Sequence, residues 1–320
     1  MDQCLGLTEL RRDPAFSIYA AIMQRYALQR VDRAYRSFFS RGGFPRFKSR
    51  DRYNSIGWEQ RNGWRLNGGK FIAKGLGAIR VQSNRAMPDK IRAVRIKREG
   101  RHWFISFMCD VESAHANNNS SIGIDMGIST LAAMSNGEMI ENPRFSKRAQ
   151  PKIRRHQRAL ARCRKGSNRR RKIRERLACA HRKVRRQRET HLHQVSATLT
   201  TRFGTIAIEK LNVKGLSKGI LARSVNDASW GRFITMLRYK AERAGGVVIA
   251  VDPKGTSQTC PACGQIKAKE LAERVHSCEC GCVMDRDVAA AKIIHMRAVR
   301  GPQGANVGGY AKRGPGKAAA

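Results

Sequence analysis

Five of the nine cysteines fall between residues 260 and 282, and that cluster restricts the possible folds more than any other feature of the chain. Cys260-Pro-Ala-Cys263-Gly is followed, after a short polar span, by Cys278-Glu-Cys280-Gly-Cys282. Asp285-Arg-Asp287 comes next, at the head of a helical run, Val288-Ala-Ala-Ala-Lys-Ile-Ile294. Thiolates at the two ends of Cys-x-x-Cys, turned by Pro261 and Gly264, can share one Zn²⁺, and a second close pair completes a tetrahedral set. Cys260, Cys263, Cys278 and Cys280 are the expected four. The second pair is Cys-x-Cys, so Cys282 or His276 could stand in for one of its members. Four protein ligands leave no open position for chemistry, so the expected zinc is structural, and it would fix the approach of Asp287 to the rest of the chain. Cys4, Cys109, Cys163 and Cys179 are scattered singly, which indicates metal use and not a disulfide framework. The N-terminus lacks a basic stretch followed by an apolar core, and no run of about 18 apolar residues occurs. The expected compartment is the reducing cytoplasm, with no membrane partner.

Charge narrows the function. Against 24 Asp+Glu stand 64 Lys+Arg, a net +40 over 320 residues, which would repel itself in a compact fold without a polyanionic partner. A 41% hydrophobic content supports a real core and excludes a disordered tail. Nucleic acid is the expected partner. Ribosomal proteins and polybasic membrane binders share the charge, but not the acidic residues described below.

From Leu5 to Phe39 apolar residues recur at helical spacing (Ile18, Ile22, Met23, Tyr26, Val31, Tyr35, Phe38), which predicts one or two amphipathic helices starting near Pro14 and ending at Gly42-Gly43. Phe44-Pro-Arg-Phe47-Lys48 then interleaves rings with cations. Such a stretch can stack bases and hold phosphates, or its rings can pack the helix end on a sheet; the residues leave both open. Short β-like runs punctuated by glycine follow: Tyr53–Trp58, Trp64–Leu66, Lys70–Ala73, Ala78–Val81, Arg92–Lys97 and His102–Val111. They predict a small antiparallel barrel or sheet. Asn117-Asn-Asn-Ser-Ser121 reads as a linker at a domain boundary.

Beyond it, Ser121-Ile-Gly-Ile-Asp125 is a buried-strand pattern closing on a carboxylate, with Thr130–Met134 and Glu138–Ile140 as its neighbours. Residues 144–188 form the most charged block, broken by Gly166-Ser-Asn168 into a helical hairpin with a thin apolar stripe. Solvated charged faces normally mix signs and this one does not, so Arg154, Arg155, Arg169, Arg170, Arg171, Lys172, Arg185 and Arg186 are expected to contact phosphates. Thr205-Ile-Ala-Ile-Glu209 is again a buried strand closing on a carboxylate. Gly215 to Gly219 reads as a loop, Trp230 to Arg243 as a helix and Val247–Val251 as a strand. The alternation predicts an α/β unit with a sheet core.

Asp125, Glu209 and Asp287 therefore stand at the ends of elements in one inferred domain. Carboxylates gathered at one sheet edge can hold two Mg²⁺ or Mn²⁺ ions about 4 Å apart, which activate a water and stabilise the leaving oxygen at a phosphodiester. Capping a helix or pairing with arginine would explain any one of the three acids, but explains all three poorly beside such a charge.

The order Ile-Gly-Ile-Asp125-Met-Gly, Ile-Ala-Ile-Glu209-Lys-Leu, Trp230…Tyr239-Lys-Ala-Glu242, Thr256-Ser-Gln-Thr-Cys260-Pro-Ala-Cys263-Gly and Cys280-Gly…Asp285-Arg-Asp287 resembles the TnpB family. These are transposon-encoded RNA-guided DNA endonucleases related to type V CRISPR effectors. The likeness runs from about Leu7, through Gly43-Phe-Pro-Arg-Phe-Lys48, to about Met296. It implies an α+β N-terminal part, helices plus a small β-barrel, followed by an α/β RNase H-like (RuvC) domain with an inserted zinc ribbon. The implied parts are a partial helical recognition lobe (1–50), a wedge-like barrel (51–116) and a RuvC-like nuclease domain (121–255) carrying the basic hairpin (144–190). A zinc-ribbon insertion (256–284), the last RuvC-like helix (285–298) and a flexible tail (299–320) complete them. Asp125, Glu209 and Asp287 are implied as the catalytic triad that binds Mg²⁺ or Mn²⁺, with a guide RNA and target DNA as partners.

The chain departs from the family pattern in three ways. A further strand and helices of the Tyr-Lys-Phe-Arg-Leu-Tyr-Pro type usually come first, so this chain is expected to start inside the recognition lobe. Ala289 stands where asparagine is common, and the second cysteine pair is one residue short. The alternative function is a binding protein without cleavage, either a remnant that binds RNA and DNA or an RNA-guided repressor; a repressor would not need the intact triad. A transposase is disfavoured, because helix packing and turn chemistry explain Tyr239 and Ser257 better than a nucleophile's role.

Overall fold

A computed structural model of the chain describes residues 3–300 apart from 41, 50–51, 60–62, 84–85, 88–89, 111–118 and 271–272. The chain divides into two units, Met1–Glu112 and Ser113–Ala320. The start of the expected linker and the expected tail beyond residue 300 lie outside the described residues.

In the first unit the helical stretch forms three helices instead of one or two: α1 (Gln3–Leu10), α2 (Pro14–Ser17) and α3 (Ala21–Phe39). Asp13 interrupts the run, because its carboxylate accepts the Ala15 N–H at 2.8 Å and Pro14 opens a new first turn. The β-like runs pair as two antiparallel sheets. One has the order β1-β5-β6, from β1 (Ser55–Trp58), β5 (Ile91–Glu99) and β6 (His102–Cys109); the other is β2-β3-β4, from β2 (Trp64–Asn67), β3 (Lys70–Ala73) and β4 (Gly77–Arg80). Trp58, Phe71, Val94 and Ile96 from the sheets and Met23 from α3 share one apolar core.

The second unit is built on a five-stranded sheet of order β11-β10-β7-β8-β9. Its strands are β7 (Ser121–Asp125), β8 (Thr130–Met134), β9 (Met139–Glu141), β10 (Thr205–Glu209) and β11 (Val247–Val251). β10 runs parallel to both β7 and β11, whereas β7, β8 and β9 form an antiparallel meander. Between β9 and β10 lie α4 (Phe145–Ala161) and α5 (Asn168–Arg202). The hairpin's second helix is thus longer than the basic block, because Leu192, Ser196 and Leu199 continue it as a buried stripe. α6 (Val213–Leu216) reaches into the start of the span expected to be a loop, of which residues 217–219 are turn and bend, and α7 (Ala222–Ala228) and α8 (Trp230–Arg243) follow. Asn212 caps α6 by accepting the Gly215 N–H at 3.0 Å, which lets a helical turn form across the glycine. A hairpin of β12 (Val275–Ser277) and β13 (Val283–Asp285) leads into α9 (Arg286–Val299).

Alternation along β7 and β10 assigns their two faces. Ile122, Ile124, Ile206 and Ile208 point into the main core with Leu192 and Leu199 of α5 and Phe233 and Leu237 of α8. The opposite face carries Ser121, Gly123 and Asp125 on β7 and Thr205, Ala207 and Glu209 on β10. The residues before the acids are small, and α9 lies on them. A Cβ at Gly123 would stand 2.2 Å from the Ala291 carbonyl oxygen and 2.6 Å from His295 Cβ, so only glycine permits this approach. Gly123→Ala is expected to push α9 away and to cost about 1–3 kcal/mol. Thermal melts should show a loss of ~2–4 °C per kcal/mol; an unchanged melting temperature would mean that the helix does not bear on β7.

Candidate active site

Three of the predicted residues converge at the end of β7. Asp125 and Glu209 come one step beyond the last paired residues of two parallel strands, Ile124 and Ile208. In that register their side chains leave the same face, on strands about 4.8 Å apart. α9 runs antiparallel to β7: the Ser121 hydroxyl meets His295 Nε2 at 2.7 Å, and Gly123 meets Ala291 and His295. From Ser121 to Asp125 the strand rises ~13 Å, and from His295 back to Asp287 the helix rises ~12 Å. Asp287 therefore arrives level with Asp125.

Burial, then repulsion from Glu209 and Asp287, pushes the Asp125 carboxyl up to about 7. Arg286 opposes the rise. Burial also raises Glu209, against a hydrogen bond that its carboxylate accepts from the Thr256 hydroxyl and against the charge of Arg297. Thr256 is itself buried. Sequence reasoning gave it no role, although it opens the quoted Thr-Ser-Gln-Thr-Cys stretch. Asp285 does different work: its carboxylate accepts the Asp287 and Val288 N–H groups at 2.8 and 3.1 Å, so it caps α9. Three carboxylates gathered at the end of a sheet, two of them raising the third, are a donor set suited to hard divalent cations. They are not drawn round a single point, since among the described residues the donor sets whose atoms all fall within 4.8 Å of one another are both built on Cys260.

The larger of those two sets is Cys260, Cys263, Cys278 and Cys280. Cys260 Sγ lies 3.7 Å from Cys280 Sγ, and Cys263 Sγ lies 3.6 Å from Cys278 Sγ. A tetrahedron with Zn–S bonds of about 2.3 Å has edges of about 3.8 Å, so the thiols fit zinc. Burial works against ionisation of Cys260, but N–H groups of Cys263 and Ala262 and the His276 ring bring its thiol down to about 5. The knuckle turns through Gly264 at φ 78°, whose N–H donates to the Cys260 carbonyl at 2.9 Å. Cys260, His276 and Cys282 form the second set, so both alternatives expected from the sequence lie beside the four thiols. The second knuckle closes the β12–β13 hairpin, which ends on Asp285, the cap of α9. The thiol cluster is thereby linked to Asp287 through a few residues of paired backbone.

The expected nucleic-acid contacts divide. Arg154, Arg155, Arg169, Arg171, Lys172, Arg185 and Arg186 are exposed along the α4–α5 hairpin. Arg170 turns inward and donates to the Leu160 and Cys163 carbonyls at 2.8 and 3.1 Å, closing the end of α4. Phe44 packs its ring edge-on against Phe38 at 5.4 Å, while Phe47 and Lys48 are exposed. No helix among the described residues is long and apolar enough to cross a membrane.

The family model OrfB_IS605, described as "Probable transposase", matches residues 104–219, and "Cas12f1-like, TNB domain" matches residues 230–294. A Streptomyces pristinaespiralis protein named "Putative RNA-guided DNA endonuclease" is 32% identical over 303 residues, covering 90% of this chain and 75% of that protein. Its Escherichia coli K12 namesake InsQ is 30% identical over 276 residues, covering 79% and 68%. Among solved structures, the Cas12f1-sgRNA-target DNA complex shares the fold with a TM-score of 0.57 at 14% identity, over 90% of this chain and 73% of that chain.

The raised Asp125 carboxyl sets a sign for stability. Between its ordinary value near 3.8 and about 7 the folded chain keeps a proton that the unfolded chain has lost, so stability falls as pH rises through that window. Asp125→Asn should therefore melt higher than the parent at pH 8 without added divalent metal, by ~2–4 °C per kcal/mol of relieved repulsion. The gap should close near pH 4, and a variant that melts lower at pH 8 would contradict the crowding of these acids. Zinc should be found at about one per chain and be lost in Cys260→Ser, the thiol common to both sets. Elemental analysis checks this, and full zinc in that variant would remove Cys260 from the ligands.

Proposed function

We propose that this chain, which belongs to the TnpB family, is an RNA-guided DNA endonuclease that cleaves phosphodiester bonds at a RuvC-like site dependent on Mg²⁺ or Mn²⁺. The observation that carries the reading is the convergence of Asp125, Glu209 and Asp287 on the α9 face of the sheet, where burial and mutual repulsion raise the Asp125 carboxyl. The names of the two curated relatives support it. The sheet order also does: in the unit's own sequence of strands it is 5-4-1-2-3, that of an RNase H-like core.

Divalent cations bound here would neutralise the acids, activate a water and stabilise the leaving oxygen. The residues do the rest. Asp125, Glu209 and Asp287 would hold the cations; Thr256 orients Glu209, and Asp285 caps α9 and so aims Asp287. The four thiols hold a structural zinc that fixes the β12–β13 hairpin. Arginines and lysines of the α4–α5 hairpin hold phosphates, while pairing with a guide RNA selects the target strand. The same site cuts the two strands in turn, leaving 3′-hydroxyl and 5′-phosphate ends.

Asp125→Ala, Glu209→Ala and Asp287→Ala should each lower Mg²⁺-dependent cleavage ~100-fold or more while leaving RNA binding nearly intact. Asp285→Ala should mainly lower stability, by about 0.5–2 kcal/mol for a lost helix cap. The measurement is cleavage of single-stranded DNA complementary to the copurified RNA. Activity lost at Asp285 and kept at Asp287 would reverse the assignment, and wild-type protein that binds RNA yet cuts nothing would favour the non-cleaving alternative.

A further inference from the structure

A cavity of about 670 Å³ opens beside β7, and basic side chains crowd its wall: Arg144, Lys147, His181, Arg188 and Arg223. Asp227 is the one carboxylate among its lining residues, and its charge is already committed. The side chain is 9% exposed, accepts the Ser146 N–H on both oxygens at 3.1 Å, and pairs with Arg188 at 2.9 Å. The same carboxylate also accepts the Lys147 N–H, so it caps the start of α4. Arg188 in turn donates to the Ser146 hydroxyl at 2.7 Å, while its Nε is buried without a partner. Among the described residues the side chains of Arg144, Lys147, His181 and Arg223 form no hydrogen bond or ion pair. Arg144 stands in the left-handed region at φ 49° and ψ 48°, unusual for a residue with a side chain, and the Asn142 side-chain Oδ1 accepts its N–H at 3.1 Å.

Converging cations with no free counter-charge call for an anion, and the volume suits a ligand the size of a nucleotide. The cavity's position says which anion. Ile128 on its wall lies three residues beyond Asp125, at most ~11 Å along the chain. That turn is pinned by the Trp230 indole N–H on the Gly127 carbonyl at 3.3 Å and by the Asn142 amide N–H on the Ile128 carbonyl at 2.8 Å. We propose that this cavity is a phosphate subsite for the DNA strand being cut. It would grip the backbone a couple of nucleotide steps from the acids through Arg144, Lys147 and Arg223, with Arg188 held ready by Asp227. The assignment to the cut strand rests on the nuclease reading above; the anion site itself does not.

The test uses the full chain without added divalent metal, titrated calorimetrically with a 5′-phosphorylated thymidine dinucleotide and with inorganic phosphate. A single-stranded oligonucleotide is followed in parallel by anisotropy across a salt series. Lys147→Gln with Arg223→Gln should weaken the dinucleotide ~10-fold or more and flatten the single-strand salt slope by about 1.4, that is about 0.7 for each of two phosphate contacts. Arg144→Asn, which tolerates the left-handed backbone, should weaken the dinucleotide without changing the melting temperature. Unchanged dinucleotide affinity and slope in these variants would overturn the proposal. So would inorganic phosphate binding without the dinucleotide, which would leave an isolated anion site, or loss of the dinucleotide in Asp125→Ala, which would place it among the acids. Because binding is read without cleavage, a chain that cuts nothing yet shows these losses would sink the nuclease reading and keep the subsite.

Discussion

The close contact of α9 with β7 at Gly123 is the constraint on which the second unit depends. A helix normally sits on a sheet at a distance set by side chains; here a carbonyl oxygen occupies the space where a Cβ would be. That contact fixes the height and direction of α9, and the two rises, 1.5 Å per helical residue and 3.3 Å per strand residue, then bring an acid at the helix start level with an acid at the strand end. Ala289, Ala290 and Ala291 keep the interface thin along its length. Asp287 at the start of α9 is thus positioned by packing four to eight residues away.

The arrangement works against stability. Carboxylates are brought together and half-buried on a sheet edge where Glu209 and Asp287 disfavour the charge of Asp125, and a core of Ile, Leu, Phe and Trp on the opposite face has to hold them there. Fixed partners share the load: Thr256 for Glu209, Arg286 near Asp125, and Asp285 at the helix cap. The thiol cluster belongs to the same problem, since it anchors the hairpin from which α9 departs.

Much of this could be read from the chain because it is written locally. Strands closing on Asp125 and Glu209 announce themselves by short apolar runs, and the cysteines by spacing. The helical start after Asp285-Arg-Asp287 is equally plain. What escaped reading depends on partners far apart in sequence. Asp227 meets Arg188 across 39 residues and Ser146 across 81, and Thr256 reaches Glu209 across 47, distances over which no periodicity links two side chains. Arg170 looks like its basic neighbours until the end of α4 is placed beneath it. Gly215 reads as the start of a loop, yet the Asn212 cap starts a helical turn across it, while Gly219 lies in the loop expected there.

The length of α5 has a mechanical consequence. Its C-terminal part enters the main core with the sheet and α8, through Leu192 and Leu199, while its N-terminal part is braced by α4. From Asn168 to Leu192 the helix extends ~36 Å. Ten base-pair steps of duplex occupy a similar length at about 3.4 Å each. A helix anchored at one end and stiffened along the other is a ruler about one helical turn of DNA in length, and a load applied at its tip reaches the core as torque.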